Sequence, residues 1–182
     1  DIFWYVYGIL HSPEYRQRFA ADLKKMLPRI PFAADFRAFL NAGRKLGEWH
    51  LNYETVEPFP LTEEAKRVVM EQDDYLVTKM TFGKKDGKPD KSVIVYNPNL
   101  VLRDIPLEAY EYVVNGKPAI EWVMERQAVT TDKASGIVKD ANAWATETMG
   151  DPRYPLSLLL RVITVSLETM KIVGALPALV LE

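Results

Sequence analysis

The closing stretch of the chain, residues 156–176, constrains the fold most strongly, because nearly every one of its 21 positions outside a single polar stripe is apolar. Five polar residues recur in it at spacings of four, three, four and three, and so form one narrow stripe on a helix: Ser157, Arg161, Thr164, Glu168 and Lys171. Charges inside a membrane span cost roughly 2.5–3.5 kcal/mol each, so the stripe favours a helix packed in protein. We expect this helix to be the central core helix of the domain, or to be buried in part against another domain.

The N-terminal third has the apolar periodicity of helices. Apolar residues recur at helical spacing across residues 13–27, with Ser12 as the predicted cap and Pro28 as the stop. A second apolar stripe predicts another helix over residues 34–50, and His50 lies on that stripe.

The middle of the chain changes to a period of two, which predicts β-strands. Strands over residues 75–82 and 92–96 should form a hairpin with a long tip at residues 83–91, and residues 100–102 add a third strand. A turn, a short helix and a polar surface excursion should follow, at residues 115–116, 118–124 and 128–153. The predicted fold class is α+β, with a helical N-terminal part, a central antiparallel hairpin or sheet, and a long buried C-terminal helix.

Length and composition are typical of one domain with a sizeable core. The 182 residues are 48% hydrophobic, which excludes intrinsic disorder. No cysteine is present, so disulfides and thiolate zinc sites are excluded and a cytoplasmic location is expected. The net charge is −2, although residues 1–50 carry 8 basic and 5 acidic groups. Freestanding nucleic-acid binders are usually strongly basic, so any DNA binding must be local or shared with other domains.

The sequence offers no catalytic constellation and no metal site. A phosphate-binding loop needs a hydroxyl after its glycine and lysine, but Pro89 and Pro118 follow the two Gly-Lys pairs. Metal sites need three or four convergent donors, so we interpret His50 as a packed side chain. A small independent hydrolase would require a clustered acid–base site that the sequence lacks.

The predicted hairpin tip is locally basic. It carries an excess of +2 from four lysines and two aspartates: Lys84, Lys85, Lys88, Lys91, Asp86 and Asp90. A two-stranded ribbon fits the major groove of DNA. The alternative is a solvated turn, because lysines at sheet edges also prevent aggregation.

Seven phrases follow one another along the chain: YVYGILHS at 5–12, LPRIP at 27–31, LNYE at 51–54, VNGK at 114–117, GIV at 136–138, DPRY at 151–154 and VSLET at 165–169. As an ordered set over roughly residues 2–177, they resemble the C-terminal specificity domain of Type ISP restriction-modification enzymes of bacterial defence. The polypeptides of that family couple a nuclease, a helicase-like ATPase translocase and an adenine-N6 methyltransferase to this domain.

The resemblance implies a fragment that binds DNA and has no catalytic activity of its own. It would read a short asymmetric sequence in double-stranded DNA and position the methyltransferase, with the methyltransferase and helicase-like domains as partners and no membrane. S-adenosylmethionine, ATP and magnesium would be cofactors of the parent enzyme, and none belongs to this fragment. We expect residues 1–180 to form a single target-recognition domain of a longer polypeptide, and residues 181–182 to be vector-derived.

The expected phosphate contacts are Lys79, Lys84, Lys85, Lys88, Lys91 and Arg103. The expected base contacts are Asn97, Asn99 and Arg103, because asparagine pairs bidentately with adenine and arginine with guanine, each worth ~1–3 kcal/mol of discrimination. Phosphate contacts confer affinity, whereas base contacts confer sequence choice. The alternative function is a non-catalytic scaffold that docks onto the methyltransferase or helicase without reading bases.

Overall fold

A computed structural model describes residues 1–182, which form two compact units. The first unit comprises Asp1–Tyr53 and Glu168–Glu182, and the second comprises Glu54–Leu167. One helix of 21 residues, Tyr154–Gly174, begins in the second unit and ends in the first, as the apolar closing stretch predicts. None of the helices has the length and apolarity needed to cross a membrane.

Four helices form most of the first unit: α1 Ile2–His11, α2 Pro13–Arg18, α3 Ala20–Lys24 and α4 Phe36–Leu51. The prediction of one helix over residues 13–27 is wrong, because the chain leaves helical geometry at Phe19 with φ −108° and ψ 21°. Phe19 ends α2 and begins α3, and its ring stacks on Tyr15 at 4.9 Å beside the core of the unit. Ser12 caps α2 as predicted, accepting a hydrogen bond of 3.3 Å from the Tyr15 N–H.

Helices α1 and α4 pack at backbone distance because glycines line their contact. A Cβ on Gly43 would lie 1.8 Å from the Trp4 carbonyl oxygen, and a Cβ on Gly8 would lie 2.1 Å from the Phe39 carbonyl oxygen. Contacts this short cannot exist, so a larger side chain at either position must push the two helices apart. The close approach sets the spacing of the core around Tyr5 and Phe39.

Both histidines belong to one polar network in the first unit. The Tyr7 hydroxyl lies 2.7 Å from His50 Nδ1, and the Thr169 hydroxyl lies 2.8 Å from His50 Nε2. The His11 ring centre is 5.5 Å from that of His50. Burial, and then the neighbouring His11, lower the pKa of His50 to about 4, so its ring is neutral at pH 7. The structure confirms that His50 is a packed side chain.

The second unit is built on a four-stranded antiparallel sheet in the order β1-β4-β3-β2. Its strands are β1 Thr62–Ala65, β2 Thr81–Lys85, β3 Lys88–Asn97 and β4 Leu100–Arg103. Two small hairpins also belong to it, β5 Val113–Val114 with β6 Lys117–Pro118 and β7 Thr130–Thr131 with β8 Val138–Lys139. So do the helices α5 Ala119–Arg126 and α6 Ala141–Ala143, and the part of α7 (Tyr154–Gly174) up to Leu167. The α+β prediction is confirmed.

The core of the second unit joins the sheet to α5 and α7. Its large side chains without any exposure are Ile94, Tyr96, Leu102, Ile120, Leu156, Leu159 and Ile163. The predicted turn before α5 is confirmed, since Asn115 and Gly116 have φ values of 49° and 79°. The predicted excursion is exposed over residues 130–140, but it also contains β7, β8 and α6.

The predicted first strand is wrong over residues 75–80, because β2 begins only at Thr81. The Val77 N–H donates to Asn142 Oδ1 at 2.8 Å, and the Val77 carbonyl accepts from Asn142 Nδ2 at 2.7 Å. A side chain distant in sequence therefore satisfies both backbone groups of Val77, and no neighbouring strand is needed there.

We expect Gly43→Ala to destabilise the protein by about 3 kcal/mol, the upper end of ordinary overpacking, because the added methyl collides with the backbone of α1. Urea denaturation would measure the loss. Gly174→Ala is the control, because a Cβ at Gly174 meets nothing within 4 Å. Equal denaturation midpoints for the two variants would contradict the close approach of α1 and α4.

The low pKa of His50 makes stability depend on pH. The folded chain binds a proton at His50 only near pH 4, whereas the unfolded chain binds it near the ordinary value of 6.5, so stability falls as the pH decreases from 6.5 towards 4. We expect the urea midpoint of the wild type to fall more between about pH 7 and about pH 4.5 than that of His50→Gln, which cannot titrate. Parallel decreases in the two proteins would remove His50 as the cause.

Candidate nucleic-acid interface

The hairpin of β2 and β3 ends in a two-residue turn, so the predicted long tip is wrong. Asp86 and Gly87 occupy the turn with φ values of 52° and 76°, the backbone geometry that an Asp-Gly pair favours between antiparallel strands. Lys85 lies directly opposite Lys88. Like charges in that position destabilise a hairpin, so the tip concentrates positive charge at a cost in stability. This arrangement is suited to binding an anion.

A β-bulge in β3 lies between the outer part of the hairpin and the rest of the sheet. Phe82 pairs with Ile94, but the next residue, Gly83, pairs with Asp90, which leaves residues 91–93 of β3 without partners in β2. A Cβ on Gly83 would lie 2.7 Å from the Val93 Cβ, so glycine is required at this step. The outer ribbon, residues 83–90, is therefore paired in a different register from the rest of the hairpin, and the change of register lies where Gly83 faces Val93.

Hydrogen bonds hold this bulge in place. Asp90 accepts from the Ser92 hydroxyl at 2.6 Å and from the Ser92 N–H at 3.0 Å. These bonds, with smaller contributions from the charges of Lys85 and Arg103, lower the pKa of the Asp90 carboxyl, so it is ionised at neutral pH. The Tyr110 hydroxyl donates to the Lys91 carbonyl at 2.8 Å and secures the bulge from another side.

The predicted phosphate contacts fall into two groups. The first group is exposed and takes part in none of the ion pairs of the structure: Lys79, Lys84, Lys85 and Lys88. The second group is paired within the protein: Lys91 Nζ lies 2.7 Å from Glu121, and Arg103 pairs with Glu64 across β4 and β1. Lys91 also lies over the ring of Tyr110 at 5.3 Å. The unpaired lysines are therefore the more available contacts for a phosphate.

The predicted base contacts Asn97 and Asn99 lie at the other end of β3 from the hairpin tip. That strand has 10 residues, so the two ends are up to roughly 30 Å apart. The Asn97 side chain is 6% exposed and donates to the carbonyls of Asp74 and Leu76, at 2.8 and 2.9 Å. Its bonding is accounted for within the fold. The base contact of Asn97 stays a prediction, as does that of Asn99, which is half-buried and donates to Asp74 Oδ1 at 3.1 Å.

The basic loop at Lys66 and Arg67, which lies beside Asn99, is not predicted from the sequence. The Lys66 N–H donates to the Asn99 carbonyl at 3.0 Å, and Arg67 lies 3.6 Å from Asp74. Val68, which follows, is completely exposed. Two adjacent cations are the only local signal of this loop, and a dibasic pair is too common in sequences to predict a site.

No group of three or more histidine, aspartate and glutamate side chains is placed to hold a metal ion. The charged features of the second unit include the outer ribbon, the Lys66–Arg67 loop and the ion pairs described above.

Comparison with protein families decides the identity of the chain. The family model for the Type ISP C-terminal specificity domain matches residues 1–158. The chain belongs to this family. The specificity domain predicted from the ordered phrases of the sequence is thereby confirmed, and the match includes the whole hairpin.

Solved structures of larger enzymes contain similar domains. A nuclease-deletion mutant of the Type ISP restriction-modification enzyme LlaGI, in complex with a DNA substrate mimic, is 44% identical with a TM-score of 0.86 over 99% of the specificity domain. The ATP-dependent Type ISP enzyme LlaBIII bound to DNA is 38% identical with a TM-score of 0.88 over 100%. A DrdV–DNA complex is 32% identical with a TM-score of 0.78 over 97%.

The specificity domain spans only 16%, 12% and 18% of the LlaGI, LlaBIII and DrdV chains. Comparison with curated proteins gives no match.

Proposed function

We propose that this specificity domain reads a short asymmetric sequence in double-stranded DNA and positions an adjacent adenine-N6 methyltransferase of the same polypeptide. The observation that carries the proposal is the family membership, together with three similar structures, 32–44% identical, that belong to DNA-bound enzymes. Catalysis, and the binding of ATP, S-adenosylmethionine and magnesium, is assigned to the rest of the polypeptide. Residues 1–180 would act as a single target-recognition domain.

The outer ribbon is the proposed contact with phosphates. The major groove is about 12 Å wide and admits a two-stranded ribbon. Lys84, Lys85 and Lys88 would lie against the two phosphate backbones that border the major groove of DNA. Lys79 would be a further phosphate contact. The repulsion between Lys85 and Lys88 would be relieved by a phosphate, so part of the stability lost in the free tip would be regained on binding. The net charge of −2 is no obstacle, since the contact is local.

Arg103 and Asn99 are the stronger of the proposed base contacts. Arg103 is paired with Glu64 at the surface, where an ion pair is worth about 0–1 kcal/mol, so exchanging Glu64 for a guanine edge would be favourable. Asn99 retains partial exposure. Asn97 could reach a base only by breaking two hydrogen bonds, one buried and one partly buried, and each break would leave a carbonyl unsatisfied.

We expect the double variant Lys84→Ala/Lys85→Ala in the full-length enzyme to bind all DNA sequences more weakly. If each lysine neutralises one phosphate, the slope of log affinity against log salt should become shallower by about 0.9 per lysine, because fewer counterions are released. Filter binding or fluorescence anisotropy across a salt series would measure it.

Lys24→Ala/Lys25→Ala is the matched control, because it removes the same charge from an exposed helix end in the first unit. We expect its salt slope to equal that of the wild type. A slope in Lys84→Ala/Lys85→Ala that equals the wild-type value would exclude the ribbon from phosphate binding.

A chimera separates target recognition from the scaffold alternative. We expect that exchanging residues 1–180 for the corresponding domain of a relative with another target will transfer the methylated sequence with the domain, because base contacts lie within it. Genome-wide methylation mapping would read the outcome. If the recipient enzyme kept its own target, the domain would be a scaffold and the proposal would fail.

A further inference from the structure

A groove runs along the free edge of the sheet in the second unit. Strand β2 is an edge strand, since only β3 pairs with it. The groove lies between β2 and one face of α5, and it has a volume of about 630 Å³. Ligand sites in proteins typically measure about 300–1,000 Å³. An extended strand edge beside a helix face is also the geometry in which domains take up a peptide as an added strand.

The chain itself begins to pair along this edge and then stops. The Val129 N–H donates to the Thr78 carbonyl at 2.9 Å, just before β2 begins. From Thr81 to Lys84 the strand lines the groove with no further strand beside it. An exposed strand edge is a template for pairing with another extended segment.

The groove has an apolar floor. Its members are Met80, Phe82, Met124, Ala128 and Val129. Methionine side chains are flexible and polarisable and adapt to apolar ligand groups. A DNA phosphate would lose hydration against such a floor without gaining partners, so the floor argues against a phosphodiester backbone as the occupant. Apolar side chains are the groups that fit.

The charges at the rim of the groove are unbalanced. The two carboxylates that line it are already paired, Glu125 with Lys117 and Glu121 with Lys91. Lys79 and Lys84 line the same groove without any ion pair. Since both acids are neutralised, the rim presents two free positive charges, which complement acidic residues in a ligand.

We propose that this groove binds an extended segment of the parent polypeptide outside residues 1–182, as a strand added to β2. The segment carries apolar side chains towards the floor and an acidic residue towards Lys79, which then no longer contacts phosphate. This inference rests on the proposed function to the extent that a larger polypeptide surrounds the domain. The similar structures support that source, because this chain covers only 12–18% of their length. The contact would dock the domain within the enzyme, while Lys84, Lys85 and Lys88 face DNA.

Photo-cross-linking in the full-length enzyme tests this proposal. A p-benzoylphenylalanine replaces Thr81, which lines the groove, and in a separate variant it replaces Lys85, which does not. With duplex DNA bound, we expect the label at position 81 to join one segment of the same polypeptide outside residues 1–182, and the label at position 85 to join DNA. Mass spectrometry of the cross-linked peptides identifies the segment.

The two labels separate the two hypotheses. Cross-linking at position 81 to DNA, to a second copy of the chain, or to nothing would overturn the groove proposal. If the label at position 85 did not cross-link to DNA, the proposal that the ribbon contacts DNA would be contradicted, and the groove proposal would not be affected. Lys79→Glu, an exposed charge reversal at the rim, should lower the yield at position 81 about fivefold. Lys133→Glu, exposed on the β7–β8 hairpin and away from the groove lining, is the control and should leave that yield unchanged.

Discussion

The bulge in β3 opposite Gly83 is the constraint on which the candidate nucleic-acid interface of the second unit depends. It takes residues 91–93 out of the pairing with β2, so that the outer ribbon pairs in a register of its own. Glycine is required at position 83 because the Val93 side chain fills the space of a Cβ. On β3, two hydrogen bonds from Ser92, one from its N–H and one from its hydroxyl, hold the bulge at Asp90. The opposed lysines, Lys85 and Lys88, both lie on the outer ribbon, beyond this change of register.

Local signals in the sequence predict the elements whose stability is local. Helices α4 and α7 follow their apolar stripes, and the turn at Asn115-Gly116 follows from residues that tolerate a positive φ. The strand predicted over residues 75–80 fails for the opposite reason. Its backbone at Val77 is satisfied by the side chain of Asn142, and no pattern near Val77 could indicate a partner so distant in sequence.

The candidate interface likewise combines features set by nearby residues with features set by residues distant in sequence. Exposed lysines at a hairpin tip can be predicted, because charge and turn residues lie in one short segment. Their partners cannot: the pairing of Lys91 with Glu121, and of Arg103 with Glu64, joins segments that only the folded sheet brings together. Asn97 is the clearest case, since a residue type suited to reading adenine is used to bind the backbone at Asp74 and Leu76.

A domain with a net charge of −2 can still serve DNA recognition if its basic ribbon is held near DNA by other parts of a longer enzyme. Tethering turns a weak contact into an intramolecular one, whose effective concentration does not depend on the charge of the whole domain. Few phosphate contacts then suffice, and the domain can keep acidic groups elsewhere for solubility and for ion pairs. Weak affinity for phosphates also benefits selectivity, because a smaller sequence-independent contribution leaves more of the binding energy to base contacts.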